Sequence, residues 1–339
     1  MENSVEKAGA TSIAEEFIDR VRKENRTEQI KQYMPFVIFS CIIIVACFAV
    51  PSFFSLNNFR TLLSQIAVPL ICATGMTFIL LIGGMDLSME GVIGFCGVVL
   101  SYLVANSKTS LNLGLLGVLI TIAAGSTVGL ITGLIHTKLR LPSFIVTYAV
   151  GIIFTGFSIM IYRGAPAAVS SNLVLSLTKN FLGLPILTWL ALAIFTVAAV
   201  VLKYTTFGRS IYAIGDNEMA IRAAGINVDR AKLIAFVICA TCASFAGIIG
   251  VSRLKYGDIS VGRNRIFSAI TACVVGGTSL SGGKGGMLQC LMGVMIVTVL
   301  GNILILLGVD TDYQDAIEGV IVIVSVIIST VRNNKTMVK

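Results

Sequence analysis

Few side chains in this sequence are able to do chemistry, and several of them stand where an apolar chain should carry none. The stretch Gly83-Gly-Met-Asp-Leu-Ser-Met-Glu-Gly91 sets two carboxylates, Asp86 and Glu90, between apolar runs. Ionisable groups at such a depth mark ion or substrate paths by default. The adjacent Gly83 and Gly84 allow backbone turns that other residues resist, and irregular backbone in lipid survives only where protein or a water-filled cavity satisfies it. Two readings follow. One is a broken helix on a permeation path, with Asp86 capping the helix after it; the other is a capped helix start at the membrane edge. The balance falls on a structural cap beside the path rather than direct substrate contact. A second stretch, Gly276-Gly-Thr-Ser-Leu-Ser281, echoes Gly83-Gly-Met-Asp-Leu-Ser88, as glycine-broken helices do in transporters built from two related halves.

Other chemistries fail on spacing. The run up to Lys284 looks like a phosphate-binding loop, but Thr278 stands where the first glycine belongs and Gly285 where Ser or Thr must hold magnesium. Cys239-Ala-Thr-Cys242 has redox spacing without a second pair or a soluble βαβ setting. His136 is the one histidine and follows an apolar span, which suits an interface better than a ligand set. No metal cluster and no Ser/His/Asp set is present, so the chain is expected to be no enzyme and to bind no cofactor itself.

The elements that must position these residues are membrane helices. Of 339 residues 56% are hydrophobic and 12% charged, against about 25% charged in a soluble chain; mean hydropathy is +0.92. Such a surface is solvated by lipid, which defines an all-α, polytopic helical membrane protein. The net charge of +8 is the ordinary excess of basic cytoplasmic loops and implies no nucleic acid. Ten spans are predicted, at about 33–53, 62–82, 91–105, 113–135, 142–162, 181–202, 233–252, 267–280, 288–308 and 316–332. Those at 91–105 and 267–280 are short enough to be broken or re-entrant. Residues 1–32 form a cytoplasmic segment, 33–332 the transmembrane domain and 333–339 a cytoplasmic tail. Arg20, Arg22, Lys23, Arg26 and Lys31 before the first span place the N-terminus in the cytoplasm, and the even count returns the C-terminus there. One loop breaks the charge rule: 253–266 is predicted outside, yet carries Arg253, Lys255, Arg263 and Arg265 against Asp258 alone. The same count puts both glycine-rich stretches on one side, which a simple inverted repeat would not do. All eight cysteines fall in apolar spans, where they serve as small packing residues.

The cytoplasmic loop 203–232 is the one polar island. Within it Asn217 to Ala224 reads as a short helix, opened by Asn217 and Glu218, favoured by Ala220, Ala223 and Ala224, and ended by Gly225. A short helix outside the lipid suits a groove on another protein; the alternative is an ordinary connecting loop.

Five stretches together resemble the membrane permease of bacterial ABC importers for monosaccharides, the ribose, galactose, xylose and arabinose group. They are Gly83-Gly-Met-Asp-Leu-Ser88; Leu141-Pro-Ser-Phe-Ile-Val-Thr147; Thr206-Phe-Gly-Arg-Ser-Ile-Tyr-Ala-Ile-Gly215 with Asn217-Glu218 and Ala223-Ala-Gly-Ile-Asn-Val228; Val275-Gly-Gly-Thr-Ser-Leu-Ser-Gly-Gly283; and Asn302 with Leu306-Leu-Gly-Val309. The resemblance implies a multi-pass inner-membrane permease working as a pair of chains, a periplasmic sugar-binding protein that delivers cargo, and a cytoplasmic ABC ATPase that binds ATP and magnesium. It makes Ala220-Ile-Arg-Ala-Ala-Gly225 the coupling helix and assigns ATPase coupling to Gly208, Arg209, Gly215, Asn217, Glu218, Ala220 and Gly225. It assigns the translocation path to Gly83, Gly84, Asp86, Ser88, Gly276, Gly277, Ser279, Ser281 and Asn302.

The chain departs from the family's pattern in three places. Met219 holds the place of the coupling Glu, Glu90-Gly91 replaces Gly-Ser, and Ile266-Phe-Ser-Ala-Ile-Thr-Ala272 lacks the usual acidic pair. Those changes point to a polyol, sugar acid or modified sugar as cargo. The branched-chain amino-acid or nucleoside permeases remain the alternative within transport, and an ion-coupled secondary transporter using Asp86 and Glu90 the alternative from another class.

Overall fold

The computed structural model describes residues 34–162, 164–310 and parts of 313–327. The segment 1–32, the tail 333–339 and the far end of the tenth span lie outside the described residues. Twelve helices are described in full: α1 (Met34–Ala49); α2 (Leu56–Gln65), α3 (Ala67–Leu81), α4 (Met89–Leu103), α5 (Leu115–Leu139), α6 (Ser143–Tyr162), α7 (Asn172–Ser176), α8 (Ile186–Tyr204), α9 (Thr206–Ala223), α10 (Val228–Leu254), α11 (Arg265–Gly276) and α12 (Met287–Leu306). A two-stranded hairpin, β1 (Asn180–Phe181) with β2 (Leu184–Pro185), and the short α7 fill the α6–α8 connection, so the span expected from 181 starts at Ile186.

Length and composition allow six of these elements to cross a membrane: α2 with α3, then α5, α6, α8, α10 and α12. The pair α2–α3 is one span with a break at Ile66. Pro69 explains it, because proline has no N–H to return to the carbonyl of Gln65 and its ring crowds that turn. α4, with 15 residues, and α11, with 12, are too short to cross upright. Both were expected to be broken or re-entrant.

A helix that is apolar all round must be buried, and α3 is. Every residue from Ala67 to Leu81 except Pro69 is inaccessible. α10 packs most extensively on α5, α3 and α4. Lipid offers no hydrophobic drive for helix association, so small residues that let backbones approach carry the contact. Gly75 meets the α10 backbone at Cys239, and Gly129 of α5 meets Ala240 and the Phe236 carbonyl. Cys72, Cys96, Cys239, Cys242, Cys273 and Cys290 are buried as packing residues. The opposite faces of α5, α6 and α8 expose Leu116, Leu119, Ile152, Ile153, Val197 and Val200. That is a surface for lipid or another apolar chain.

The loop that broke the charge rule is not wholly left in solvent. After α10 the chain turns back alongside α4: Gly257 lies on Gly97 and Ser101, Ile259 on Gly94, and Gly262 on the Glu90 backbone. Charge counting describes segments left in water, and this one re-enters the bundle.

One polar tie joins the outer layer to the core. Asn58 of α2 and Asn302 of α12 exchange side-chain hydrogen bonds, Nδ2 to Oδ1 at 3.0 and 2.9 Å, and both residues are buried. Replacing either with Leu strands the other amide. Asn58→Leu or Asn302→Leu is expected to destabilise the protein by about 1–2 kcal/mol, and the double variant by less than the two losses added. Thermal unfolding in detergent of the four proteins of this cycle measures the coupling.

Candidate coupling and translocation site

The non-helical segment 82–88 is the first part of the site. The Gly83 and Gly84 amides return to the Leu80 and Ile79 carbonyls of α3, and the amides beyond them need partners that no helix ladder supplies. α6 provides them. The Met85 amide donates to Ser143 Oγ at 3.1 Å and the Leu87 amide to Thr147 Oγ1 at 3.0 Å. Ser143 and Thr147 are four apart, hence on one helix face. Sequence reasoning quoted that stretch without seeing this role; the legible signal was a hydroxyl pair at helical spacing in an apolar run.

Asp86 is buried and bonded locally. Its Oδ1 accepts from the Ser88 amide at 2.8 Å and the Ser88 hydroxyl at 2.6 Å. The carboxylate therefore organises the turn before α4, while Ser88, at the N-cap position, makes no side-chain cap bond. This is the geometry of a structural cap. The Asn302 amide is likewise occupied, by Asn58.

The two glycine-rich stretches sit at the same end of the bundle, as the span count required, and they touch. The Gly283 amide donates to the Leu81 carbonyl at 2.9 Å, and a Cβ on Gly83 would come within 3.3 Å of the Ser281 carbonyl oxygen. Gly277 closes α11 at φ 106°, and Gly276 lies against the Gln289 carbonyl of α12. Ser279 receives the Ser281 amide at 3.2 Å. A turn of the same kind as Asp86-Leu-Ser88 lies elsewhere. Asp258-Ile-Ser260 makes the same turn, Asp258 Oδ1 accepting from the Ser260 amide at 2.7 Å, in the segment that re-enters beside the other half of α4.

α9 meets the end of α3 and the Gly282-Gly283 turn at one residue. α9 is two helices with a break at Asn217 (φ −154°, ψ 92°). Its first part opens at Thr205, whose hydroxyl accepts from the Gly208 amide at 3.1 Å, and Gly208 packs on the Leu202 backbone. Arg209 and Tyr212 line a cavity with the start of α12, and the Tyr212 hydroxyl donates to the Gly285 carbonyl at 2.9 Å. A Cβ on Gly215 would overlap the Leu81 carbonyl and the Gly283 amide. Gly215 thus links the coupling segment by backbone contact to the end of α3 and to the Gly282-Gly283 turn. Sequence reasoning named it without this reason.

Beyond the break, Asn217 caps a short second helix, its Oδ1 accepting from the Ala220 amide at 3.0 Å. Gly225, at φ 81°, ends it. Met219 is 81% exposed and Ala220, Ala223 and Ala224 are exposed beside it. The inner face is charged. Glu218 accepts from Lys232 of α10 at 2.6 Å and from Arg222 at 2.9 Å, and Arg222 reaches Asp229 of α10 at 2.6 Å. Burial alone would raise the Glu218 carboxyl, but the hydrogen bonds from Lys232 and Arg222 outweigh it and hold it below its ordinary value. His136 ends α5 in the cavity behind this network, its ring nitrogen 2.7 Å from the Leu141 carbonyl. Among the described residues no His/Cys/Asp/Glu group is arranged for a metal.

Non-helical segments that re-enter a helical bundle, and a short exposed helix tied to them, define a polytopic transport protein. The family described as branched-chain amino acid transport system / permease component matches residues 58–326, and the chain belongs to that permease family. It is 36% identical over 283 residues to the ribose import permease protein of Escherichia coli strain K12, covering 82% of this chain and 87% of that protein. The ribose import permease protein of Bacillus subtilis is 33% identical over 297 residues, 87% of this chain and 91% of that protein. The L-arabinose ABC transporter permease protein of Azospirillum brasilense is 32% identical over 300 residues, 88% and 87% respectively. No solved structure matches.

Two outcomes test this geometry. Gly215→Ala forces backbone apart at the junction and is expected to destabilise the protein by about 1–3 kcal/mol. Gly225→Ala, which meets no atom within 4 Å, loses about 1 kcal/mol from its left-handed backbone alone. Denaturation in detergent separates them. A carboxyl held low contributes stability that is present above the ordinary Glu value, about 4.3, and lost as pH falls through the folded value. A probe on Met219→Cys should therefore keep constant mobility from about pH 6 to 8 and loosen below about 4.

Proposed function

We propose that this chain is the membrane-spanning subunit of an ATP-binding-cassette importer for a monosaccharide or related polyol. Two copies form the path, a periplasmic sugar-binding protein delivers the cargo, and a separate cytoplasmic ATPase holds ATP and magnesium. The chain lies in the inner membrane with both ends cytoplasmic. The observation that carries this reading is the capped helix after Asn217. It exposes Met219 and three alanines outward while Gly215, two residues before the break, abuts the Leu81 carbonyl and the Gly282-Gly283 turn. A push on the outer face is delivered to α3 and to the Gly282-Gly283 turn without passing through a flexible side chain, and biases the bundle between two states. The ribose and arabinose permeases among the relatives support a sugar as cargo. The family's description favours a second cargo class, branched-chain amino acids.

The test is co-purification from native membranes. An ATPase subunit should accompany the wild type and be lost, or have its ATP hydrolysis uncoupled from transport, when Ala220 is replaced by Trp. An intact protein that carries no ATPase removes the coupling reading and leaves an ion-coupled carrier. Competition of uptake by leucine but not by sugars selects the amino-acid reading.

A further inference from the structure

Two half-length helices begin at the same level inside the bundle. α4 starts at Met89, after residues 82–88 have run along α6. α11 starts at Arg265, after residues 255–264 have run back along α4. The starts are joined: the Asn264 amide donates to Glu90 Oε1 at 3.3 Å, and Gly262 lies on the Glu90 carbonyl. Helix register gives the depth. Gly91 abuts Gly151, eight residues after Ser143 at the start of α6, which is about 12 Å along a helix of about 30 Å. The junction is in the hydrocarbon zone, not at its edge.

This level is cationic. Arg263 is exposed and Arg265 half-buried. Both stand close enough to act electrostatically on Glu90. Two guanidinium groups thus stand by one carboxylate, and among the described residues neither makes an ion pair. The Arg265 Nε is buried without a hydrogen-bond partner. Arginine at such a depth is tolerated only against protein or a water-filled path, and an unpaired buried donor is costly unless water or a ligand reaches it. A planar guanidinium holds a carboxylate with two parallel hydrogen bonds, which a neutral sugar hydroxyl does not match.

We propose that Arg263 and Arg265 form an anion-recognising step on the translocation path, so that the cargo is a sugar acid, a monosaccharide bearing a carboxylate, and not a neutral sugar. This rests on the reading of the chain as a sugar permease and names the substrate class of that path.

Uptake of labelled D-gluconate, D-galacturonate and D-ribose is compared in cells with the intact importer and cells lacking this permease. Permease-dependent uptake of an acid is expected. Arg263→Gln with Arg265→Gln should lower it at least about tenfold, the loss of a charge-assisted hydrogen bond, with the variant present in the membrane at wild-type level. Arg263→Lys with Arg265→Lys keeps the charge and loses the fork. It should raise KM for the acid several-fold with little change in the maximal rate, which serves if the glutamine variant does not fold. Permease-dependent uptake of ribose without either acid overturns the proposal and leaves the sugar-permease reading intact, as does acid uptake indifferent to both substitutions. No permease-dependent uptake of any sugar overturns both.

Discussion

Every backbone N–H and C=O placed inside a bilayer must find a partner in the protein, and the rest of this structure depends on how that demand is met where helices break. Residues 82–88 run non-helical through the bundle only because Ser143 and Thr147 stand one turn apart on α6 and accept their amides. Asp86 completes the turn by taking both donors of Ser88. The re-entrant segment before α11 repeats the device with Asp258 and Ser260. Asp86, Ser143 and Thr147 are committed to holding irregular backbone, which is why Asp86 is a poor choice for an ion ligand.

Backbone contact also ties α9 to the bundle. Long side chains absorb displacement by changing rotamer, whereas peptide groups in van der Waals contact do not. The meeting of Gly215, Leu81 and Gly283 is such a contact. The ion network of Glu218, Arg222, Asp229 and Lys232 has the complementary task of holding the short helix to α10 while leaving Met219 and the alanines outward. Exposed ion pairs contribute little each, so the orientation of this helix rests on the network as a whole, together with the cap at Asn217.

Much of the molecule was legible before any coordinate. The apolar runs gave span positions that the helices match within several residues. The shortness of 91–105 and 267–280 marked the two half-helices. Asn217 and Gly225 announced the start and stop of the short helix, because capping and left-handed closure are local chemistry. The path of residues 255–264 was not legible, because neither charge counting nor motif spacing carries information on which segments fold back along α4.

The sequence by itself determined that lipid is the solvent and, to within several residues, where the described helices start, stop and break. Those properties follow from composition and from residues within a turn or two of each other. Only the tertiary structure decided that residues as distant as Gly83, Gly215 and Gly283 share one junction, that Ser143 and Thr147 hold up another segment's backbone, and that Arg263 and Arg265 stand at the depth of Glu90. Contacts between peptide groups of remote segments require only the absence of a side chain, and an absence carries no address.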